Sequence, residues 1–144
     1  MTNSEGQLID THAHIYLDEF QEMKDEVIKR SSTKNIIKIL MPNISNNTVR
    51  PMLELSNKYK GICFHMLGLH PCYLNDNYRS EITEILSFVN SETIAIGEIG
   101  MDLYHSKDNI SQQIDALEIQ CEYAIKNNLP VVLHTRNSIN QTID

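Results

Sequence analysis

The chain has 144 residues, 41% of them hydrophobic and 22% charged, with five glycines and four prolines. This is the composition of one ordinary folded domain with a core, and it excludes a disordered, collagen-like or disulfide-stapled chain. The formal net charge of −7 argues against a broad basic surface for nucleic acid, although bound divalent cations would supply positive charge where a phosphate must sit. The first predicted strand is Leu8-Ile9 leading into Asp10, and Phe20, Met23 and Val27 then mark the apolar stripe of a helix. A second strand covers Ile36 to Met41. It is followed by a helix that starts at Ser45 to Asn47 and runs through Leu53 towards Tyr59, with Pro51 tolerable only in its first turn. Ile62 to Leu69 reads as the third strand, and Ile82, Ile85, Leu86 and Val89 give a helical stripe after Ser80. Ile94 to Gly97 is the fourth strand. Ile110, Ile114, Leu117, Cys121 and Ala124 form the stripe of the next helix, capped by Asp108 or Asn109 and ended by Asn127-Asn128 before Pro130. Leu129 to Leu133 is the fifth strand.

Each strand is a short apolar run bounded by Pro, Gly or polar residues, the mark of strands buried on both faces in a parallel sheet. The alternation βαβαβαβαβ predicts an α/β fold with right-handed crossovers. A closed eight-stranded barrel needs roughly 250 residues. If the sheet closes as such a barrel, residues 1–144 supply the N-terminal β1–β5 portion of a single (β/α)8 TIM-barrel domain, a little over half of one. The three cysteines, Cys63, Cys72 and Cys121, share no CxxC spacing and read as reduced thiols. With no basic n-region or apolar run at the start and no segment approaching ~20 apolar residues, the expectation is a cytoplasmic chain without a membrane association.

The chemistry-bearing residues cluster where strands end. In Asp10-Thr11-His12-Ala13-His14, residues i and i+2 of an extended segment share a face, so His12 and His14 project together. Imidazoles in that arrangement suit zinc and similar divalent ions, or they are two solvent-facing side chains. Glu98 lies between Gly97 and Ile99-Gly100, straight after an apolar run. Burying an unpaired carboxylate there costs several kcal/mol unless a cation or proton compensates, so Glu98 is a ligand or a solvent-facing turn residue. The fifth strand delivers His134 in the same way. Three strands presenting His or Glu at one end point to one or two metal ions at the C-terminal face, where barrels of this type carry their sites. His70, after the third strand, orients substrate or is a loop histidine fixed by Pro71. Arg136 pairs with a phosphate or forms a salt bridge. His65 and His105 are expected to have no catalytic role.

Taken in order, Ile9-Asp10-Thr11-His12-Ala13-His14, Gly68-Leu69-His70-Pro71, Ile96-Gly97-Glu98-Ile99-Gly100-Met101-Asp102, Gln112 to Gln120 within a helix, and Leu129-Pro130-Val131-Val132-Leu133-His134-Thr135-Arg136 closely resemble the TatD family of metal-dependent deoxyribonucleases. Asn137 stands where that family commonly has aspartate. The resemblance implies a (β/α)8 barrel and a phosphodiesterase acting on DNA with two divalent cations (Mg, Mn or Zn). In that scheme His12 and His14 serve the first metal, Glu98 bridges both, and His134 serves the second. His70 and Arg136 are then the substrate-binding candidates. The family completes the site with a further histidine and an aspartate that is the usual protein base, both expected beyond position 144, so no catalytic base is identified within the chain. No obligate protein partner is implied. Two other readings remain: a truncated, catalytically inactive fragment, and a related barrel metallohydrolase acting on another ester or amide.

Overall fold

A computed structural model describes residues 6–105 and 107–143. Five parallel strands alternate with helices: β1 (Leu8–Asp10), α1 (Lys24–Thr33), β2 (Ile36–Pro42), α2 (Asn46–Lys58), β3 (Cys63–Met66), α3 (Tyr78–Ser87), β4 (Ile96–Asp102), α4 (Ile110–Lys126), β5 (Val131–Arg136) and a short α5 (Ile139–Ile143). Two 3₁₀ turns, Asp18–Phe20 and Pro71–Tyr73, interrupt the connections. Strands β1, β2 and β3 pair in that order, and β4 pairs with β5. A parallel bridge between Leu67 and Ile96 joins the two groups into one arc. No helix among the described residues is long and apolar enough to cross a membrane.

The core lies between the arc and its helices. Ile39 and Met41 of β2, Val49 and Met52 of α2, Ile82 and Ile85 of α3, and Ile96, Ile99 and Met101 of β4 are among its most enclosed members. The expectation that all five strands are buried on both faces holds for the middle of the arc and fails at its ends. Leu8 and Ile9 of β1 and Val131 and Leu133 of β5 are exposed, because an end strand has a neighbour on one side only. α2 also differs. Ser45 is its N-cap, in a capping box with Thr48, which places Pro51 in the second turn rather than the first. The helix runs on because Val49, Met52 and Leu55 are buried beneath it, and the Asn47 carbonyl that loses its partner belongs to an exposed residue.

β4 begins later and ends later than its apolar run suggests, and this matters most for the site. Pairing with β5 continues from Gly100–His134 to Asp102–Arg136, so Glu98 and Asp102 lie inside the strand with every residue of it buried. Gly100 makes the pairing possible: at φ 140° it adopts a conformation side chains rarely reach, and a Cβ there would collide with the His134 carbonyl. In α4 the buried positions are Gln113, Ala116, Leu117, Gln120 and Ala124, whereas Ile114, expected in the stripe, is 39% exposed. Burying two glutamines costs little because both amides are satisfied. Gln120 accepts from the Leu69 N–H at 2.7 Å and donates to the Leu69 carbonyl at 3.2 Å. Gln113 does the same for Asp102, at 2.8 and 3.2 Å.

The ends of β2 and β3 and the first residues of β4 meet at Asn43, which is fully buried. Its N–H is shared between the Met66 and Gly97 carbonyls, its carbonyl accepts from the Glu98 N–H, and its amide donates to Gly68 and Ser45.

Candidate metal centre

β1 ends at Asp10, and the chain beyond it stays extended, because the Ala13 N–H still donates to the Leu40 carbonyl of β2 at 3.0 Å. Extended backbone keeps His12 and His14 on one side, and their Nε2 atoms lie 3.2 Å apart. Glu98 reaches the same point from β4. Its Oε2 is 3.1 Å from His12 Nε2 and 3.6 Å from His14 Nε2. Its Oε1 is 3.1 Å from His134 Nδ1 and 3.7 Å from His70 Nε2. The carboxylate is thus divided between two pairs of imidazoles, one oxygen to each.

The positions of the ring protons decide whether this set suits a cation. His14 Nδ1 faces the Pro42 carbonyl at 3.1 Å and the Tyr16 oxygen at 2.9 Å. The Tyr16 hydroxyl itself donates to Pro42, so both neighbours of Nδ1 act as acceptors and Nδ1 carries the proton. In the neutral ring, His14 Nε2 is then a bare lone pair aimed at a carboxylate and at a second imidazole. His134 repeats the situation: Nε2 is 3.0 Å from Asp102 Oδ2, which can only accept from it, leaving Nδ1 as a lone pair against Glu98 Oε1. Lone pairs facing a carboxylate at about 3 Å are mutually repulsive unless protons or metal ions lie between them, and the imidazole nitrogens and carboxylate oxygens are donors that suit a divalent metal ion.

The two carboxylates carry the negative charge. Burial alone would raise the Glu98 carboxyl, but the imidazoles of His14, His70, His12 and His134 hold it down to about 2. Asp102 is also held below the ordinary carboxylate range: against the cost of burial it gains the backbone N–H and ring of His105, the ring of His134 and the thiol of Cys72. Burial lowers His70 to about 4, with a further push from His134. Its Nδ1 accepts the Cys72 N–H at 3.1 Å, so the proton of the neutral ring is on Nε2, facing Glu98. A cleft of about 650 Å³ opens over this ensemble, with His14, His70, Cys72, Glu98, Asp102 and His105 among the residues of its wall.

The structure therefore brings His12, His14, Glu98, His134 and His70 together. Arg136 stands apart from them, its guanidinium stacked 3.8 Å over the Tyr104 ring. His65 is a core residue between Ser56 (3.0 Å) and Thr93 (3.1 Å). His105, set aside on sequence grounds, bonds Asp102 at 2.9 Å. Asp102 and Cys72 were not singled out in the sequence either. The signal for Asp102 was its spacing four residues after Glu98, which in a strand returns to the same face. Cys72 had none, since the 3₁₀ turn Pro71–Tyr73 is what brings the thiol of this exposed residue to Asp102.

A profile of the TatD related DNase family matches residues 9–144. The chain belongs to this family. Among curated TatD relatives it is 30% identical over 141 residues to an uncharacterized metal-dependent hydrolase of Buchnera aphidicola, covering 95% of this chain and 52% of that protein. It is 25% identical over 132 residues to the 3'-5' ssDNA/RNA exonuclease TatD of Erwinia billingiae, covering 91% and 51%. The crystal structure of YjjV, a TatD homologue from Escherichia coli K12, superimposes with a TM-score of 0.81 at 27% identity, over 94% of this chain and 53% of that one. The chain spans about half the length of the curated relatives it matches. Its five-stranded arc corresponds to the β1–β5 portion of the TatD-type barrel.

Proposed function

We propose that this chain carries half of the active site of a divalent-metal-dependent hydrolase that cleaves phosphodiester bonds of DNA, and that residues 1–144 are the N-terminal part of a single barrel domain. The observation that carries the reading is the division of the Glu98 carboxylate between His12–His14 on one oxygen and His134 on the other. In this reading His12 and His14 would hold a first ion, His134 a second, and Glu98 would serve both, with Mg, Mn or Zn as the cations. When bound, such a pair would supply a water of lowered pKa and positive charge for the attacking and leaving oxygens of a phosphoryl transfer. The chain's own residues do the rest. His70, neutral with its Nε2 proton facing the cleft, donates to a phosphate oxygen. Tyr16 and Pro42 hold the His14 ring with Nε2 free, and Asp102 does the same for His134 Nδ1. Arg136, exposed beside Tyr104, offers a cation to the phosphate backbone. The names of relatives such as the deoxyribonuclease TATDN3 of Homo sapiens support the choice of substrate.

The test combines metal titration by calorimetry with cleavage of single-stranded DNA in Mg²⁺, Mn²⁺ or Zn²⁺, for wild type and Glu98→Gln. Loss of the bridge should weaken metal binding by at least about 100-fold, the upper end of what outer partners of a metal site cost. Equal binding by both proteins would overturn the ligand assignment. Retained metal binding with no cleavage by the wild type would support the second reading, which the half-length match to the relatives favours: a metal-holding half that is inactive by itself.

A further inference from the structure

Beside the cluster around Glu98 lies a second convergence of side chains, from three different segments. Cys72 comes from the 3₁₀ turn after β3, Asp102 from the end of β4, and His105 from the loop that follows. Their donor atoms all lie within 4.8 Å of one another. Cys72 Sγ is 3.3 Å from Asp102 Oδ2 and 3.7 Å from His105 Nδ1, and His105 Nδ1 is 2.9 Å from Asp102 Oδ2. Zinc bonds of about 2.3 Å to sulfur and 2.0–2.1 Å to nitrogen or oxygen, at tetrahedral angles, place ligand atoms about 3.3–3.6 Å apart. Two of the three separations are within about 0.2 Å of that range. The third, His105 Nδ1 to Asp102 Oδ2 at 2.9 Å, is shorter than that range and widens into it by a small rotation of the exposed His105 ring.

The arrangement is braced. Asp102 is 1% exposed, and its Oδ1 is occupied by the backbone N–H groups of Tyr104 and His105 at 2.9 and 2.8 Å. Those bonds fix the carboxylate and the loop that carries His105. Asp102 Oδ2 is left with three would-be donors: His134 Nε2, His105 Nδ1 and Cys72 Sγ. That is more protons than one oxygen accommodates well. A single cation replaces two of them and leaves His134 as the remaining donor.

We propose that Cys72, Asp102 and His105 form an accessory cation site for a thiophilic divalent ion, zinc or cadmium in chemical class, distinct from the cluster of His12, His14, Glu98 and His134. Binding releases the thiol proton to solvent and forms a metal–sulfur bond. The His105 proton moves from Nδ1 to Nε2, so the ring ligates while staying neutral. The three ligands leave a fourth position open to the cleft lined by His14, His70 and Glu98, where a water or an anionic oxygen fits. The thiolate sets this site apart from the nitrogen and oxygen donors next to it and gives it a preference for softer ions.

The test is titration of the 144-residue chain with Cd²⁺, followed through the cadmium–thiolate charge-transfer absorbance, with Zn²⁺ as competitor. The proteins are wild type, Cys72→Ser, His105→Ala and the double variant His12→Ala/His14→Ala. The expected result is a one-equivalent band in the wild type and in the double variant, displaced by Zn²⁺. It should be absent from Cys72→Ser and at least tenfold weaker in affinity in His105→Ala. Protection of the Cys72 thiol from alkylation by Cd²⁺ gives a second readout in the unmutated chain. A band of wild-type size in Cys72→Ser, unchanged affinity in His105→Ala, or no band and no protection in the wild type would each overturn the proposal. Because the double variant is expected to keep the band, failure of the Glu98-centred reading and failure of this one are distinguishable.

Discussion

A buried carboxylate among imidazoles is governed by where each ring keeps its proton. Asp102 sets this for His134, and the consequence is measurable. Asp102→Asn removes the fixed acceptor from His134 Nε2, so the ring no longer favours the tautomer that leaves Nδ1 free beside Glu98. Affinity for the ion at Glu98 and His134 should fall by about 10–100-fold, the usual cost of losing an outer partner of a ligating histidine. Calorimetric titration with Mn²⁺ or Zn²⁺ checks it, and unchanged affinity would refute the role. A different histidine governs the response to acid. His65 is buried between Ser56 and Thr93, and burial lowers its pKa below 6.5, partly offset by Glu92. Below pH 6.5 the unfolded chain binds a proton there that the folded chain refuses. Stability contributed by neutral His65 is therefore complete above pH 6.5 and declines as the pH falls towards the lowered folded value. Urea unfolding between pH 5 and 7 should show that slope, and His65→Gln should flatten it. The ligand candidates were legible in the sequence because each is polar where an apolar run stops. Asp102 was less so, since recognising it requires knowing that β4 continues past Gly100.

At the level of elements, the strands and helices follow their hydrophobic pattern wherever both neighbours are apolar, and depart from it where a polar side chain does structural work. α4 is the clearest case. Its apolar residues suggest a stripe through Ile114 and Cys121, yet the face that turns inward contains Gln113 and Gln120, seven residues and nearly two full turns apart. Both amides grip strand-end backbone, one at Leu69 beside His70 and the other at Asp102. Periodicity counts hydrophobic residues and is blind to an amide whose partners lie in another element. Gln120→Leu keeps the volume and removes the partners, stranding the Leu69 N–H and carbonyl in the core. It should cost about 3 kcal/mol in urea denaturation. It should also weaken whatever depends on His70 more than it disturbs Glu98, and a neutral stability effect would contradict this account. Pro51 teaches the same lesson from the backbone side: packing beneath α2 outweighs one lost hydrogen bond at an exposed carbonyl.

For the whole molecule, the arc is least exposed in the middle and most exposed at β1 and β5, so the two segments that carry His12–His14 and His134 lie nearest its open ends. The order of strands follows from the βα alternation, but the exposure of the end strands does not, because an apolar run looks the same whether or not a neighbour covers it. Asn43 binds the opposite region. By joining the end of β2 to β4 and to the end of β3 through four hydrogen bonds, it makes the floor beneath Glu98 a single mechanical unit that cannot open one strand at a time. The Asn43 and Glu98 amides should exchange with deuterated water only when the entire chain unfolds, whereas the amide of exposed His12, which donates to the Asp10 carboxylate two residues away, should exchange orders of magnitude sooner. Exchange at comparable rates, followed by NMR, would show that the floor yields locally. A rigid anvil under a single compliant jaw would leave any accommodation of shape to the stretch that carries His12, since the loop of His105 is tied down at Asp102.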